Sequence, residues 1–290
     1  MHDLTLSARL KKPSRDWALL IGVGAAALLV AACFAAILWD VIGNGLSRVS
    51  WGFLTTEPRS SGRAGGIYPI MVSTVLLIAL AIALALPLAV GTAVLLVEFV
   101  KARGTSARIV SLSLDTLAGV PSIVFGLCGN AFFAVYLGFG FSILSGGLTL
   151  ACMILPIMIR TTELGLRAVP DDWRRGAAAL GMTRTSAIAN ILLPAAAPAI
   201  IAGLMLGIGR AAAETAALVF TSGYVDRMPG SLLDSGRSIS VHIYDLTMNV
   251  PGGEKSAYAA AFVLVGLLVV INAVALGLTH HFLRKRIIVA

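Results

Sequence analysis

Arg210 and Glu214 stand four residues apart in the stretch Gly-Ile-Gly-Arg-Ala-Ala-Ala-Glu-Thr (207–215), set inside an otherwise apolar run. An arginine near the middle of a membrane helix costs about 2.5–3.5 kcal/mol on insertion scales, so it is expected to face a bundle interior or a watered cavity. Residues at i and i+4 share one helical face, which predicts Glu214 beside Arg210. Two kinds of chemistry fit such a pair. A buried ion pair can pin two helices, although desolvation offsets most of its Coulomb gain. Alternatively, the guanidinium can grip an oxyanion in a bidentate fork, while the carboxylate accepts a hydrogen bond from an anion that still carries a proton. Inorganic phosphate carries protons at neutral pH and sulfate does not, so this arrangement favours phosphate over sulfate. Thr215 adds a hydroxyl donor next to the pair. Physics leaves the structural pin and the anion site both open.

The setting of the pair comes from composition. Of 290 residues, 58% are hydrophobic and only 12% are charged, and the mean hydropathy is +0.92. A soluble domain is about a quarter charged, so the chain reads as an all-α integral membrane protein. Apolar windows of about 20 residues or more, the length a bilayer requires, cover 17–39, 68–99, 109–137, 141–159, 191–222 and 258–282. Six transmembrane helices are predicted. The second and fifth windows exceed the minimum, so those helices are tilted, extended, or broken near Pro87 and Pro198. Pro121, between Val120 and Ser122, is positioned to kink the third.

Net charge is +8, from 22 Lys and Arg against 14 Asp and Glu, and its distribution decides what it means. Arg9, Lys11, Lys12 and Arg15 precede the first span; Lys101, Arg103 and Arg108 follow the second. Arg160, Arg167, Arg174, Arg175 and Arg184 lie between the fourth and fifth, and Arg284, Lys285 and Arg286 follow the sixth. All four groups fall on one side. By the positive-inside rule that side is the cytoplasm, with both termini inside, and the charge reflects topology rather than a nucleic-acid surface. A basic start with Val30-Ala31-Ala32-Cys33 has a lipoprotein-signal look, but the apolar run continues past Cys33 to Trp39, so an uncleaved span is expected. Glu98 reads as an interfacial residue close to Lys101, and Asp115 as a helix contact at the cytoplasmic end.

The cytoplasmic connection between the fourth and fifth windows carries its own pattern. Pro170 can open a helix whose first turn holds Asp171 and Asp172, and Gly181 ends it. Thr183 caps a second short helix, and Pro194 marks entry into the next span.

These residues resemble a known family. ABC importer permeases carry the pattern E-A-A-x-x-x-G, nine residues, then I-x-L-P in the loop that docks on the ATPase. Here Arg175-Gly176-Ala177-Ala178-Ala179-Leu180-Gly181 is followed by nine residues and by Ile191-Leu192-Leu193-Pro194, with the spacing intact. Arg175 replaces the glutamate and Gly176 the first alanine, so a salt bridge from the glutamate position does not carry over. The resemblance assigns ATPase coupling to Arg175, Gly176, Ala177, Gly181, Ile191, Leu193 and Pro194. The stretch 210–215 resembles the R-A-x-G-E-T signature of phosphate-specific ABC permeases, with Ala213 in place of glycine. Gly119-Val120-Pro121-Ser122-Ile123-Val124-Phe125-Gly126-Leu127, Leu86-Pro87-Leu88-Ala89-Val90-Gly91 and Ile243-Tyr244 follow the same family order, with the short outer loop favouring the PstA type over its PstC sister.

What the resemblance implies is a type I ABC importer permease fold in the bacterial inner membrane. Residues 1–66 would form a cytoplasmic tail, the first span and an outer loop. Residues 67–286 would form the permease core with its coupling loop at about 160–190, and 287–290 a short tail. Arg210, Glu214 and Thr215 would line the substrate path. The implied partners are a cytoplasmic ATP-binding dimer holding ATP and Mg, a second permease of PstC type, an external phosphate-binding protein and the bilayer, with no nucleic acid. No cofactor is expected in the chain itself. Sulfate or molybdate import, or a scaffold without transport, are the alternatives. A Walker A pattern and an H-E-x-x-H zinc motif are both absent, and no span pairs Ser or Cys with an inward His as a hydrolase requires. Neither the three cysteines nor the four histidines, His280 and His281 among them, are spaced as a metal or disulfide framework.

Overall fold

The computed structural model describes residues 14–100 and 104–287. Arg9, Lys11, Lys12, Lys101 and Arg103 fall outside the described residues, as do the side chains of Arg15, His280, His281, Arg284, Lys285 and Arg286. The proposed proximity of Glu98 to Lys101 therefore lies outside them too.

Helix α1 (Ser14–Gly45) leads into a short helix α2 (Trp51–Thr55) and a two-stranded hairpin of β1 (Pro58–Arg59) and β2 (Ala64–Gly65). The strands are antiparallel, with Pro58 opposite Gly65 and Arg59 opposite Ala64. Helix α3 (Tyr68–Val94) ends in a π-helical turn, Leu95–Phe99. Next come α4 (Thr105–Gly119), α5 (Ser122–Gly129) with a π-helical continuation Asn130–Tyr136, and α6 (Ile143–Arg167). The loop helices α7 (Asp171–Ala179) and α8 (Arg184–Ala187) precede α9 (Leu193–Ala213), which α8 reaches through the π-helical Ile188–Leu192. Short α10 (Ala216–Thr221), α11 (Ile239–Met248) and long α12 (Glu254–Ile287) complete the chain.

Among the described residues, five helical segments are long and apolar enough to span a membrane: Leu19–Arg48, Tyr68–Phe99, Ile143–Arg167, Arg184–Ala213 and Glu254–Gly277. A sixth arises if α4 and Ser122–Tyr136 count as one span bent by 101°. Three expectations are thereby corrected. The third window is no continuous helix, because Val120 and Pro121 adopt extended backbone and Pro121 caps α5. Pro87 and Pro198 lie inside unbroken helices; the fifth window breaks instead at Glu214 and Thr215. Arg160 and Arg167 belong to α6 rather than to the loop after it.

The centre of the molecule is α3 against α6 and α6 against α9. Ala81, Ala85, Ala89 and Ala93 recur every fourth residue along α3 and are fully buried. Such a stripe lets backbones approach closely, which matters in lipid, where apolar side chains gain nothing by leaving the tails. Leu150, Ile154 and Met158 of α6 and Ile208, Ala211 and Ala212 of α9 fill the rest of this core, with Ala217 and Leu218 of α10. At the end where α7 and α8 lie, Ala93, Leu166, Val169, Ile188, Leu192 and Ala196 form a second cluster. At the opposite end Phe53, Ile67, Ile70, Ile239, Ala259 and Ala260 form a third. Helix α1 lies against α12, where the Tyr258 hydroxyl donates to Asp40 at 2.9 Å. Its apolar side chains, among them Leu19, Ile21, Leu28 and Val30, are exposed, as suits a lipid-facing helix.

Candidate functional site

The span that carries Arg210 stops being helical three residues later. Glu214 is extended at φ −74°, ψ 126°, and Thr215 turns the chain into α10. Two side chains hold this break. The Glu214 carboxylate accepts from the Ala217 backbone N–H at 3.2 Å, capping the first turn of α10 from the residue before Thr215. The Ser240 hydroxyl of α11 donates to the Glu214 carbonyl at 2.6 Å. A non-helical turn at membrane depth survives only where protein satisfies its freed polar groups, and these contacts do so.

The side-by-side Arg210–Glu214 pair expected from i, i+4 spacing is therefore absent. Among the described residues neither an ion pair nor a hydrogen bond joins them. Glu214 is 9% exposed and turned into its own backbone. Arg210, in the last turn of α9, is exposed and has no partner among the described residues. Thr215 sits half-buried in the break. The three residues are neighbours, but the guanidinium is free while the carboxylate is engaged through one oxygen.

A second broken helix packs on this one. Helix α5 crosses α10, and a Cβ at Gly126 would stand 2.8 Å from the Ala217 Cα. Only glycine permits that approach. Asn130 then donates its side-chain amide to the Phe220 carbonyl at 2.6 Å. The arm that follows the bend at Pro121 and the helix that follows the break at Glu214 thus pack on each other.

The loop between α6 and α9 takes the form its local signals suggest. Pro170 precedes α7, whose first turn holds Asp171 and Asp172. Gly181 adopts φ +72°, a left-handed value that glycine alone reaches without strain. Its N–H donates to the Ala178 carbonyl, and the Met182 N–H to Ala177, satisfying the end of α7. The Thr183 hydroxyl accepts from the Ser186 N–H, and Pro194 stands in the first turn of α9. Gly176 and Gly181 are exposed, Ala177 is buried, and Ile191, Leu193 and Pro194 are half-buried where α9 begins. Among the described residues Arg175 reaches only Asp172, at 3.7 Å, and both are solvent-facing.

Two further charged constellations form, the first with a local signal in the i, i+3 and i, i+4 spacing of Arg160, Glu163 and Arg167 along α6. Arg160 of α6 donates to Asp115 of α4 at 2.7 Å, to Glu163 at 3.0 Å, and to the Ser111 hydroxyl at 2.6 Å. Arg167 also pairs with Glu163, at 2.9 Å. These groups line a cavity of about 510 Å3 between α4 and α6, with Arg108 at its edge. The helix contact expected of Asp115 is this one. On the opposite end, the Arg237 guanidinium lies 3.0 Å from Asp245 and 3.2 Å from Nδ1 of the fully buried His242. An arginine has no acceptor, so Nδ1 must accept and the neutral ring carries its proton on Nε2, a buried atom with no partner. Burial first, then the Arg237 charge, pushes His242 down from 6.5 to about 4, with Asp245 opposing.

Residues 85–288 match the model of the binding-protein-dependent transport system inner membrane component. The chain belongs to this family. It is a multi-pass inner-membrane permease subunit of ABC importer type. YqgI of Bacillus subtilis, a probable ABC transporter permease protein, is 30% identical over 277 residues, covering 90% of this chain and 94% of the relative. The phosphate transport system permease protein PstA 1 of Mycobacterium tuberculosis is 33% identical over 260 residues, covering 86% and 84%. Among solved structures, a bacterial alginate ABC transporter in complex with an alginate-pentasaccharide-bound periplasmic protein superposes with a TM-score of 0.66 at 13% identity, over 90% of this chain and 93% of that one. At that identity the likeness concerns fold alone: a type I ABC importer permease.

Proposed function

We propose that this permease conducts inorganic phosphate inward as the PstA-type subunit of an ATP-driven importer, with Arg210 as the anion-binding group of its path. One observation carries the reading. Arg210 is an exposed guanidinium without a partner among the described residues, at a break in a span of a transport permease. A cation left unpaired in an apolar segment calls for an anion from outside the chain, and the guanidinium fork matches a tetrahedral oxyanion. The similarity to PstA 1 supports phosphate.

Glu214 and Thr215 share the site. With Oε1 held by Ala217, the second carboxylate oxygen of Glu214 has no donor among the described residues. It is free to accept from a proton-bearing phosphate and repels sulfate. Thr215 offers its hydroxyl. The chain works with a cytoplasmic ATP-binding dimer that supplies ATP and Mg, a second permease of PstC type and an external phosphate-binding protein. Both termini and the 160–190 loop face the cytoplasm. Arg175, Gly176, Ala177, Gly181, Ile191, Leu193 and Pro194 form the docking segment on the ATPase.

The test is uptake of labelled phosphate into proteoliposomes holding the whole complex, with excess sulfate as competitor, for the native chain and for Arg210→Gln. Loss of uptake in Arg210→Gln, with an assembled complex and ATPase activity that still responds to the binding protein, is the expected result, and sulfate does not compete in the native complex. Uptake that survives the substitution, or yields to sulfate, refutes it.

A further inference from the structure

Both arms of the 169–194 loop converge on two adjacent residues at the far end of α3. Arg174 of α7 donates through Nε and Nη2 to one oxygen of Glu98, at 3.0 and 2.9 Å. Arg184 of α8 sets its guanidinium over the Phe99 ring, 5.3 Å from the centroid. Glu98 and Phe99 occupy the π-helical turn that closes α3, an irregularity that concentrates at functional positions. A cavity of about 260 Å3 lies between the arms, lined by Glu98, Arg174, Ala177, Met182, Arg184 and Ile188 among others.

The Arg174 contacts do not stop at Glu98. Its Nη2 also donates to the Leu166 carbonyl at 2.9 Å and its Nη1 to the Val169 carbonyl at 2.8 Å, both at the end of α6. Nη1 further reaches Asp171 at 3.2 Å. One guanidinium therefore ties α7 to the ends of both α3 and α6. Little else does: within α7 only Ala177 is buried and only Arg174 half-buried, and among the described residues the Glu98 pair is the sole ion pair from α7 to a span. Glu98 and Arg174 side chains are 10% and 23% exposed, so the pair is held away from water and cannot be exchanged cheaply for hydration.

We infer that Glu98 and Phe99 receive the motion of the docking loop, with Arg174 and Arg184 as the positioning residues that pass it into α3 and α6. This rests on the permease reading above. A helix anchored through one planar fork transmits displacement because the fork's bonds have fixed directions. Movement of α7 must either carry the ends of α3 and α6 with it or break bonds to both. Movement of α8 loads the same turn through Phe99 and runs through Ile188–Leu192 into α9, whose last turn holds Arg210 and which ends at the break. The coupling is physical only if α9 takes two arrangements that the loop biases.

The experiment uses the assembled complex in nanodiscs, with Cys33, Cys128 and Cys152 replaced by serine and a spin label at position 206, an exposed leucine on α9. Label mobility is recorded with and without ATP plus vanadate in four backgrounds: native, Glu98→Gln, Arg174→Gln, and the exchange Glu98→Arg with Arg174→Glu. Couplings of this kind are worth about 5- to 150-fold, so each single substitution is expected to cut the ATP-dependent change at least about fivefold. The exchange restores most of it, while ATPase turnover and yield of assembled complex hold. A full response in Glu98→Gln, a loss of response matched by loss of assembled complex, or an exchange that restores nothing overturns the inference. So does a native complex in which ATP leaves the label unchanged. No substrate enters this readout, so a complex that fails to take up phosphate counts against the proposed cargo and not against the transmission.

Discussion

Arg210 and Glu214 can be separated by their stabilities. Were they the buried ion pair that their spacing suggests, Arg210→Gln would strand a carboxylate that is only 9% exposed, at about 3–5 kcal/mol. Among the described residues Arg210 has no partner, and Glu214 already holds the Ala217 N–H at 3.2 Å. Arg210→Gln is then a surface-like change within about 0.5 kcal/mol. Glu214→Ala removes the cap of α10 and costs about 0.5–2 kcal/mol, whereas Glu214→Gln keeps an amide oxygen for Ala217 and costs less. At about 2–4 °C per kcal/mol for a domain of 150–250 residues, Glu214→Ala lowers the unfolding temperature by about 1–8 °C and Arg210→Gln by under about 2 °C. Thermal unfolding of the purified complex in one detergent reads both, and the double substitution is additive to within about 0.5 kcal/mol. A drop above about 6 °C for Arg210→Gln, or a strongly non-additive double substitution, refutes the capping geometry.

His242 makes the opposite end of the molecule acid-sensitive. Its folded value of about 4 lies below the unfolded 6.5, so the unfolded chain binds the extra proton first. Stability is full above pH 6.5, declines as pH falls toward 4 by roughly 3 kcal/mol, and levels off below. His242→Leu is expected to flatten that part of a melting-temperature profile; an unchanged slope assigns the acid sensitivity elsewhere. Gly126→Ala drives a methyl to 2.8 Å from the Ala217 Cα, a backbone atom that cannot rotate away, and is expected to cost about 1–3 kcal/mol. Gly119→Ala, where a Cβ meets nothing within 4 Å, serves as the control, and equal melting temperatures for the two variants would contradict the close crossing of α5 and α10.

What could be read from sequence was local. Pro170, Gly181, Thr183 and Pro194 each act within one turn of their own position, and α7, its stop, α8 and the entry into α9 lie where those residues put them. Pro121 marked the place of the bend but not its size of 101°, and the bent arm packs on α10 through Gly126, a contact between segments some 90 residues apart like the Asn130–Phe220 bond beside it. Pro87 and Pro198 carried the same sequence signal without consequence. Each stays inside its helix, because neighbouring helices can accommodate the freed carbonyl that a proline leaves in lipid. The break after Ala213 has the reverse character. Ala211-Ala212-Ala213 favours helix, and the interruption depends on Ser240, 26 residues on. Glu98 and Arg174 are 76 residues apart, beyond any spacing rule.

The two interruptions account for one another. A helix broken at membrane depth frees N–H and C=O groups that lipid cannot satisfy. Around Glu214 and α10 those groups are met by Ser240 on the Glu214 carbonyl, by the Glu214 carboxylate on the Ala217 N–H, by Asn130 on the Phe220 carbonyl, and by Ser235 on the Ser222 carbonyl at 2.7 Å. Satisfying them draws α5, α10 and α11 into one cluster, and that need favours a small residue at Gly126 and short polar side chains at 130, 235 and 240. Once the backbone is satisfied in this way, Glu214 is committed to the turn and Arg210, one helical turn earlier, is left without a partner. Among the described residues the Arg210 guanidinium beside the break therefore has neither an ion pair nor a hydrogen bond within the fold, while the Glu214 carboxylate is held to the turn by a backbone N–H alone.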